Sequence, residues 1–190
     1  CLDKSRSKEI LAYHRIPTPA FLVADANLPR RRLEGFPLPA IVKPVREGSS
    51  MGIRNNSLVT NRRQLRRRAQ EIERVYHQPA LVESFLPGRE FTVGALGNAP
   101  DYEILPIVEI NHRALPAGAN PIYGYEAKWL WDDPTRPRPM LICPAEITPA
   151  QAREIRRLVR AALQVFRVRD WCRVDLRQDA AASLMVGGAT

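Results

Sequence analysis

Residues 42–52 read VKPVREGSSMG, and the fold turns on how this stretch is read. Gly48-Ser49-Ser50-Met51-Gly52 fits G-x-S-x-G, the pattern of a hydrolase nucleophile elbow. Such an elbow needs a strand, a sharp turn at the serine and then a helix. The strand is there, because Ala40-Ile41-Val42 is a continuous apolar run. The helix is not. Ile53-Arg54-Asn55-Asn56-Ser57-Leu58-Val59 follows, a mixture of turn formers and β-branched residues. Asp101 and His112, the available triad partners, sit on consecutive segments, a poor layout for a triad. The second reading is a phosphate loop. Backbone N–H groups of a Gly/Ser turn can face phosphate oxygens, Ser49 and Ser50 add hydroxyl donors, and Lys43 adds charge from the strand end. Neither a Walker A sequence nor G-x-G-x-x-G occurs. Taken alone, the stretch also fits a plain hairpin turn beside a surface lysine.

Working outward, residues 5–14 form a short helix ended by Ile16-Pro17-Thr18-Pro19. A strand is expected over 21–23 and a loop carrying Arg30-Arg31-Arg32 over 27–39. Asn61 caps the next helix, with Gln64 placed to complete a capping box. Leu65, Ala69, Ile72 and Tyr76 share one face of it, and Arg62, Arg63, Arg66, Arg67 and Arg68 take the rest. That basic face is either a nucleic-acid grip or the solvated side of an amphipathic helix, and the second is the commoner case. Strands follow over 80–85, 89–96 and 104–110, then a Gly/Pro-rich loop over 116–125. In the middle strand Phe91, Val93 and Ala95 face one way, Glu90 and Thr92 the other. Thr148-Pro149-Ala150-Gln151 starts a helix with Ile155, Leu158, Ala162 and Val165 on one side. Strands over 171–177 and 184–186 finish the chain, giving an α+β architecture with mainly antiparallel sheets.

The 190 residues are 45 % hydrophobic and 26 % charged, enough for a real core. No apolar run approaches the ~20 residues of a membrane span. The net charge of +9 fits a plain arginine-rich surface or an anionic partner. Cys1, Cys143 and Cys172 lack metal-type spacing and are odd in number, which points to a reduced, cytoplasmic setting. The chain opens without methionine, as a piece of a longer protein would.

Three further groups carry chemistry. Glu83 ends an apolar strand, where a nucleobase amino group could be met, and Glu90 opens the next, where ribose hydroxyls could be accepted. Arg173 and Asp175 are two apart on a strand and share a face. They are either a surface ion pair or a metal-binding carboxylate beside an anion clamp.

The blocks "DKSRSK", "IVKPVREGSSMGI", "LVESFLPGREFTVGALGN", "YGYEAKW" and "CRVDLR", in that order, resemble the ATP-grasp part of D-alanine–D-alanine ligases over nearly the whole chain. The resemblance implies ATP and Mg²⁺ held between two α+β lobes, a small lid subdomain over 4–84 and a large one over 85–190. It implies an acyl phosphate route to a carbon–nitrogen bond, and a place in peptidoglycan biosynthesis. By the same resemblance Lys4 and Lys43 would contact nucleotide phosphates, and Glu47, Gly48, Ser49, Ser50, Met51 and Gly52 would form the lid, with Ser50 on phosphate and Ser49 nearer substrate. Glu83, Phe85 and Leu86 would form the adenine edge and Glu90 would hold ribose. Lys128 would meet the terminal phosphates, Arg173 the oxyanion, and Asp175 magnesium. The implied partner is a small amino acid or related carboxylate. No membrane or nucleic acid is expected, and a homodimer is allowed.

The chain departs from the family pattern in three places. The sequence begins at the Lys4 block, where the family carries a preceding N-terminal domain, so that domain is not expected within these residues. Trp129 stands where "YEAKY" has tyrosine, which puts the amino-acid substrate in question. Where the family has Glu-x-Asn for its metals, this chain reads Gly188-Ala189-Thr190. The expectation is therefore a truncated large subdomain that binds nucleotide and ligates weakly or not at all by itself.

Overall fold

The computed structural model describes residues 2–25, 28–131 and 139–189. The chain begins with α1 (Lys4–Tyr13), whose first turn is capped by the Asp3 carboxylate accepting from the Ser5 and Arg6 amides. Then come β1 (Phe21–Ala24), α2 (Arg30–Gly35), β2 (Ala40–Pro44), β3 (Leu58–Val59), α3 (Arg62–Tyr76) and β4 (Ala80–Ser84). These four strands form one antiparallel sheet in the order β1-β4-β2-β3. Helix α3 covers one face, burying Leu65, Ala69 and Ile72 against Ala40, Val42, Ala80 and Val82. Each fully buried leucine or isoleucine here contributes about 1.5–3 kcal/mol. By the two-residue alternation of a strand, Ile41, Lys43, Leu81 and Glu83 turn to the opposite face.

The second half holds β5 (Glu90–Asn98), β6 (Asp101–Ile104), β7 (Val108–Ile110), β8 (Leu141–Ile142), α4 (Pro149–Val165), β9 (Trp171–Gln178) and β10 (Leu184–Ala189). The sheet order is β10-β9-β5-β7-β8, with β6 paired to β5, all antiparallel. Helix α4 starts at a full capping box between Thr148 and Gln151, with Pro149 in the first turn. Its Ile155, Leu158 and Ala162 pack on Phe91, Val93, Val174 and Leu176. Leu11 and Ile16, from the chain's first segment, are buried in this second core.

Three local expectations change. The 27–39 segment contains α2, although Asn27 lies outside the described residues. The expected strand over 104–110 is two strands, β6 and β7, separated where Leu105 donates to Gly94 O at 3.0 Å and Pro106 follows. Asn61 caps α3 by accepting from Gln64 N, but the Gln64 side chain reaches back to Thr60 N at 2.8 Å instead of to Asn61. Among the described residues no helix is long and apolar enough to cross a membrane.

Candidate functional site

The free faces of the two sheets each carry charge, and Lys43 on the first lies within electrostatic reach of Glu90 and Asp175 on the second. On the first sheet, the Glu83 carboxylate is 6 % exposed and sits between two lysines. Lys8 Nζ is 2.8 Å from Glu83 Oε1, and Lys43 Nζ pairs with Oε2. Lys8 also donates to Thr18 Oγ1 at 2.9 Å, and Thr18 Oγ1 donates on to Val186 O of β10 at 2.9 Å. Burial pushes the Lys8 ammonium down to about 6, with the like charge of Lys43 adding to it. Burial likewise lowers Lys43 to about 7, Lys4 adds to the shift, and Glu90 and Asp175 oppose it. Desolvation and repulsion by a neighbouring lysine outweigh the attraction of the carboxylates, so both shifts run downward. Glu83 was expected at the adenine edge, but its side chain is taken up inside this cluster. The edge beside it is lined by Phe85 and the buried Leu86.

On the second sheet the register sets the charges in a row. Glu90 lies opposite Arg177, Thr92 opposite Asp175 and Gly94 opposite Arg173. Their neighbours Phe91, Val93, Val174 and Leu176 fill the core, so this row is the free face. Asp175 Oδ1 accepts from Thr92 Oγ1 at 2.7 Å and from Arg173 Nε at 3.0 Å. The ion-pair reading of Arg173 and Asp175 therefore describes the molecule as it stands. Burial works against ionisation of Glu90, but the His112 hydrogen bond and the Arg177 charge outweigh it, and its carboxyl lies below its ordinary value.

The 48–52 turn lies beside both walls. Ser49, Ser50 and Gly52 all have positive φ, at 49°, 61° and 72°. A single 3₁₀ turn, Asn55–Ser57, and then β3 follow, so the α-helix that a nucleophile elbow requires does not come after this turn. Gly52 is confined to glycine twice over, by its φ and because a Cβ would strike the Pro44 ring. Lys4 Nζ donates to the carbonyls of Pro44, Val45 and Glu47, so this lysine grips the stem of the turn. Burial lowers its ammonium to about 8. Glu47 Oε1 accepts from Gln78 Nε2 at 2.8 Å, and buried Arg68 donates to Gly52 O at 2.6 Å. Gly48 is exposed, with open space where a Cβ would go.

The turn is also clasped from the second half of the chain. Ser50 Oγ donates to Tyr123 O at 3.2 Å, and Trp129 Nε1 donates to Ser49 O at 3.3 Å. Tyr125 N donates to Ile53 O at 2.7 Å, an approach that needs Gly124, whose Cβ would lie 2.6 Å from that oxygen. Asn120 adds two bonds to Asn55, at 2.7 and 2.8 Å. Lys128 belongs to the π-helical turn Ala127–Trp131, and its Nζ lies 5.7 Å from the Trp129 ring centre.

Sequence reading missed Lys8, His112 and Arg177. Lys8 follows Lys4 by four residues, one helical turn, and Arg177 continues the alternation Arg173-Asp175-Arg177, so both had a signal. His112 had none. The basic face of α3 is partly structural: Arg62 donates to Phe36 O, Arg66 to Glu34 at 2.9 Å, and Arg68 is buried against Glu71.

A magnesium ion would need hard oxygen ligands, typically one or two carboxylates plus phosphate oxygens. Asp175 offers one carboxylate, and Gly188 lies opposite it in the β9–β10 ladder. Thr190 lies outside the described residues. Among the described residues no group of three or more His, Cys, Asp or Glu could hold a metal. The donor set fits a cation carried on phosphate with Asp175 as one ligand, and does not fit an all-protein cage.

Comparison with known proteins follows this geometry. The family model described as "D-ala D-ala ligase C-terminus" matches residues 9–187. The chain is 32 % identical over 180 residues to a D-alanine–D-alanine ligase of Bordetella petrii, covering 94 % of this chain and 51 % of that protein. It is 33 % identical over 180 residues to a D-alanine–D-alanine ligase of Chromohalobacter salexigens, again covering 94 % and 51 %. The chain thus spans about half the length of the curated relatives it matches. Among solved structures, the D-alanine–D-alanine ligase of Coxiella burnetii superposes with a TM-score of 0.75 at 18 % identity, over 100 % of this chain and 47 % of that one. An L-amino acid ligase of Bacillus licheniformis superposes with a TM-score of 0.70 at 19 % identity, over 100 % and 40 %. At these identities the superpositions speak for a shared fold.

Proposed function

Because the chain belongs to the D-alanine–D-alanine ligase C-terminal family, we propose that it is the nucleotide-gripping part of an ATP-dependent ligase joining a carboxylate to an amine. The observation that carries this reading is the convergence of charge from the two sheets. Lys43 on β2 lies within electrostatic reach of Glu90 on β5 and Asp175 on β9, so cations and carboxylates of both sheets converge on one space. A polyphosphate bearing a magnesium ion is a ligand that uses both signs at once.

The chemistry asks for charge placement more than for a nucleophile. A carboxylate is a poor electrophile. Transfer of the terminal phosphoryl group to a carboxylate oxygen releases ADP and makes an acyl phosphate. An amine then attacks the carbonyl carbon, the C–O bond to phosphate breaks, and the nitrogen loses a proton. Positioning and charge neutralisation supply most of the rate. Lys43 and the lid amides of Gly48, Ser49 and Ser50 are proposed to hold phosphate, with Lys4 and Glu47 shaping the lid stem and Lys128 reaching the terminal phosphate. Phe85 and Leu86 would flank the base, Glu83 would hold Lys43 in place, and Glu90 would take ribose. Arg173 would turn from Asp175 to the developing oxyanion. Asp175 would ligate magnesium, whose charge helps neutralise the phosphates. Residues 4–84 and 85–190 are proposed as the two lobes.

Isothermal titration of residues 1–190 with ATP and Mg²⁺ tests the reading. Saturable binding is expected, with a loss of about tenfold or more in Lys43→Ala, since a charged hydrogen bond contributes roughly 1.5–3 kcal/mol. Absence of binding in the parent chain would sink the proposal. ADP release with amino-acid mixtures is expected to be weak for this chain.

A further inference from the structure

Lys8 is fully buried, and none of the roles above uses it. It stands on α1, three residues before Leu11, which is packed into the second core. Its Nζ lies 2.8 Å from Glu83 Oε1 and 5.5 Å from the Phe21 ring centre. It donates to Thr18 Oγ1 at 2.9 Å and to Pro19 O at 3.5 Å. The Pro17-Thr18 segment is in turn stitched to β10. Thr18 Oγ1 donates to Val186 O at 2.9 Å, and Val186 N donates to Pro17 O at 2.7 Å. Lys8 is therefore anchored to the second sheet while it faces a carboxylate of the first. With no exposure, it has no ligand of its own to meet.

Lys43 is held differently. Glu83 is its only ion-pair partner among the described residues, and its side chain is 14 % exposed. The charges of Glu90 and Asp175 reach it from the other sheet. Glu83 thus divides its two oxygens between a cation that is tied down and one that is free to turn. A polyphosphate that draws Lys43 away removes one of the two. Without Lys8 the carboxylate would then be left buried and bare, and breaking a buried pair in that way is strongly destabilising. With Lys8 it keeps a partner. Burial and the like charge of Lys43 are what lower the Lys8 ammonium. Withdrawal of Lys43 therefore strengthens the hold of Lys8 on its proton when Glu83 has no other cation.

Resting on the nucleotide reading above, we infer that Lys8 is a positioning residue for phosphate binding: it keeps Glu83 paired, and so frees Lys43 to leave Glu83 for the phosphates of ATP. Lys8 touches neither the nucleotide nor the reacting atoms. It acts through Glu83.

The test is Lys8→Met, alone and together with Glu83→Gln. ATP with Mg²⁺, and adenosine, are titrated by calorimetry at pH 6, where Lys43 still holds its proton. Methionine fills the same buried space, and the Glu83–Lys43 pair that remains is balanced in charge, so the chain keeps its fold. In Lys8→Met, Lys43 is the only cation left to Glu83. ATP affinity is expected to fall about tenfold, the size of one hydrogen bond to a charged group, while adenosine binds as in the parent chain. Removing the Glu83 charge as well releases Lys43. The double variant should return the ratio of ATP to adenosine affinity to within about threefold of the parent ratio. A folding defect or a change at the base edge weakens both ligands together, so the ratio is the readout, and a merely structural role for Lys8 gives no recovery in the double variant. An unchanged ratio in Lys8→Met overturns the inference. So does a ratio that falls in Lys8→Met and stays low in the double variant. In either of these results ATP still binds the parent chain and is weakened by Lys43→Ala, so the nucleotide reading survives, whereas failure of the parent chain to bind ATP sinks both.

Discussion

The two walls of the cleft hold their charges in opposite ways. On the first sheet buried Glu83 and Lys8 and the largely covered Lys43 pair with one another. On the second, Arg173 and Asp175, two apart on β9, form an ion pair with side chains 45 % and 36 % exposed. The first arrangement is part of the structure and is costly to break. The second is weakly coupled to stability, and its charges are free to be re-partnered by a ligand. At pH 5, below both shifted lysine values, Glu83→Gln leaves two ammoniums with no counter-charge. It should cost about 3–5 kcal/mol in urea unfolding, the usual penalty for breaking a buried pair. Asp175→Asn removes a half-exposed pair and should cost less than about 1 kcal/mol, yet abolish the magnesium dependence of nucleotide binding. A reversed order of the two stabilities would show that the walls have been assigned the wrong way round.

The same contrast has a pH signature that the first wall dominates, with Lys4 of the turn stem adding to it above about pH 8. Unfolded, Lys8 and Lys43 keep their protons up to about 10.5, and folded they release them near 6 and 7. Between those limits the unfolded chain binds more protons, so stability rises with pH. The gain starts near pH 6 and is complete near pH 10.5. Lys8→Met should flatten much of this rise, and Arg173→Met should leave it unchanged. Denaturant midpoints at pH 6 and pH 9 decide the matter, and equal slopes in all three proteins would break the comparison.

Legibility in the sequence followed the range of the interactions. Helices α3 and α4 could be read because their caps are local: Asn61 bonds an amide three residues on, and Thr148 and Gln151 satisfy each other. The row Glu90, Thr92, Arg173, Asp175 followed from two-residue alternation in β5 and β9. Helix α2 could not be read, because six residues with three arginines and one leucine carry no apolar period, and its hold comes from Leu33 packing into the first core. The buried pairing of Glu83 could not be read for a similar reason. Its partner Lys8 is remote in the chain, and no local pattern announces a pairing that only the fold creates. Recognition of the family supplied the site's inventory, but which side chains are already engaged with one another is a tertiary fact.

A smaller effect sharpens the second wall. Thr92 Oγ1 donates to Asp175 Oδ1 at 2.7 Å, directly across the ladder. Thr92→Val keeps shape and strand preference and removes only that donor. It should cost about 1 kcal/mol in unfolding free energy. It should also weaken magnesium-supported ATP binding without altering binding of adenosine, because the proposed base and ribose contacts are elsewhere. Equal losses for ATP and adenosine would mean that Asp175 and Glu90 are not separate stations along the wall.

The smallest predicted effect concerns the clasp that spans the two walls. Trp129 is 57 % exposed and reaches the lid through one long bond, Nε1 to Ser49 O at 3.3 Å. Trp129→Phe keeps an aromatic ring and deletes the donor. The bond stands in solvent, so its net worth is about 0.5 kcal/mol, which is roughly a twofold shift in an opening equilibrium. Global stability should not move, because neither core contains Trp129. Amide exchange over residues 49–52 should speed up by about twofold, while Met51 N, bonded to Gly48 O within the turn, changes least. The Asn120–Asn55 pair and the Tyr125–Ile53 bond remain, so the lid loosens at its tip and stays anchored at its base. Unchanged exchange at Ser50 would mean that the Ser50–Tyr123 bond alone sets the lid, and a fall in global stability would mean that the tip is part of the fold and not a cover over it.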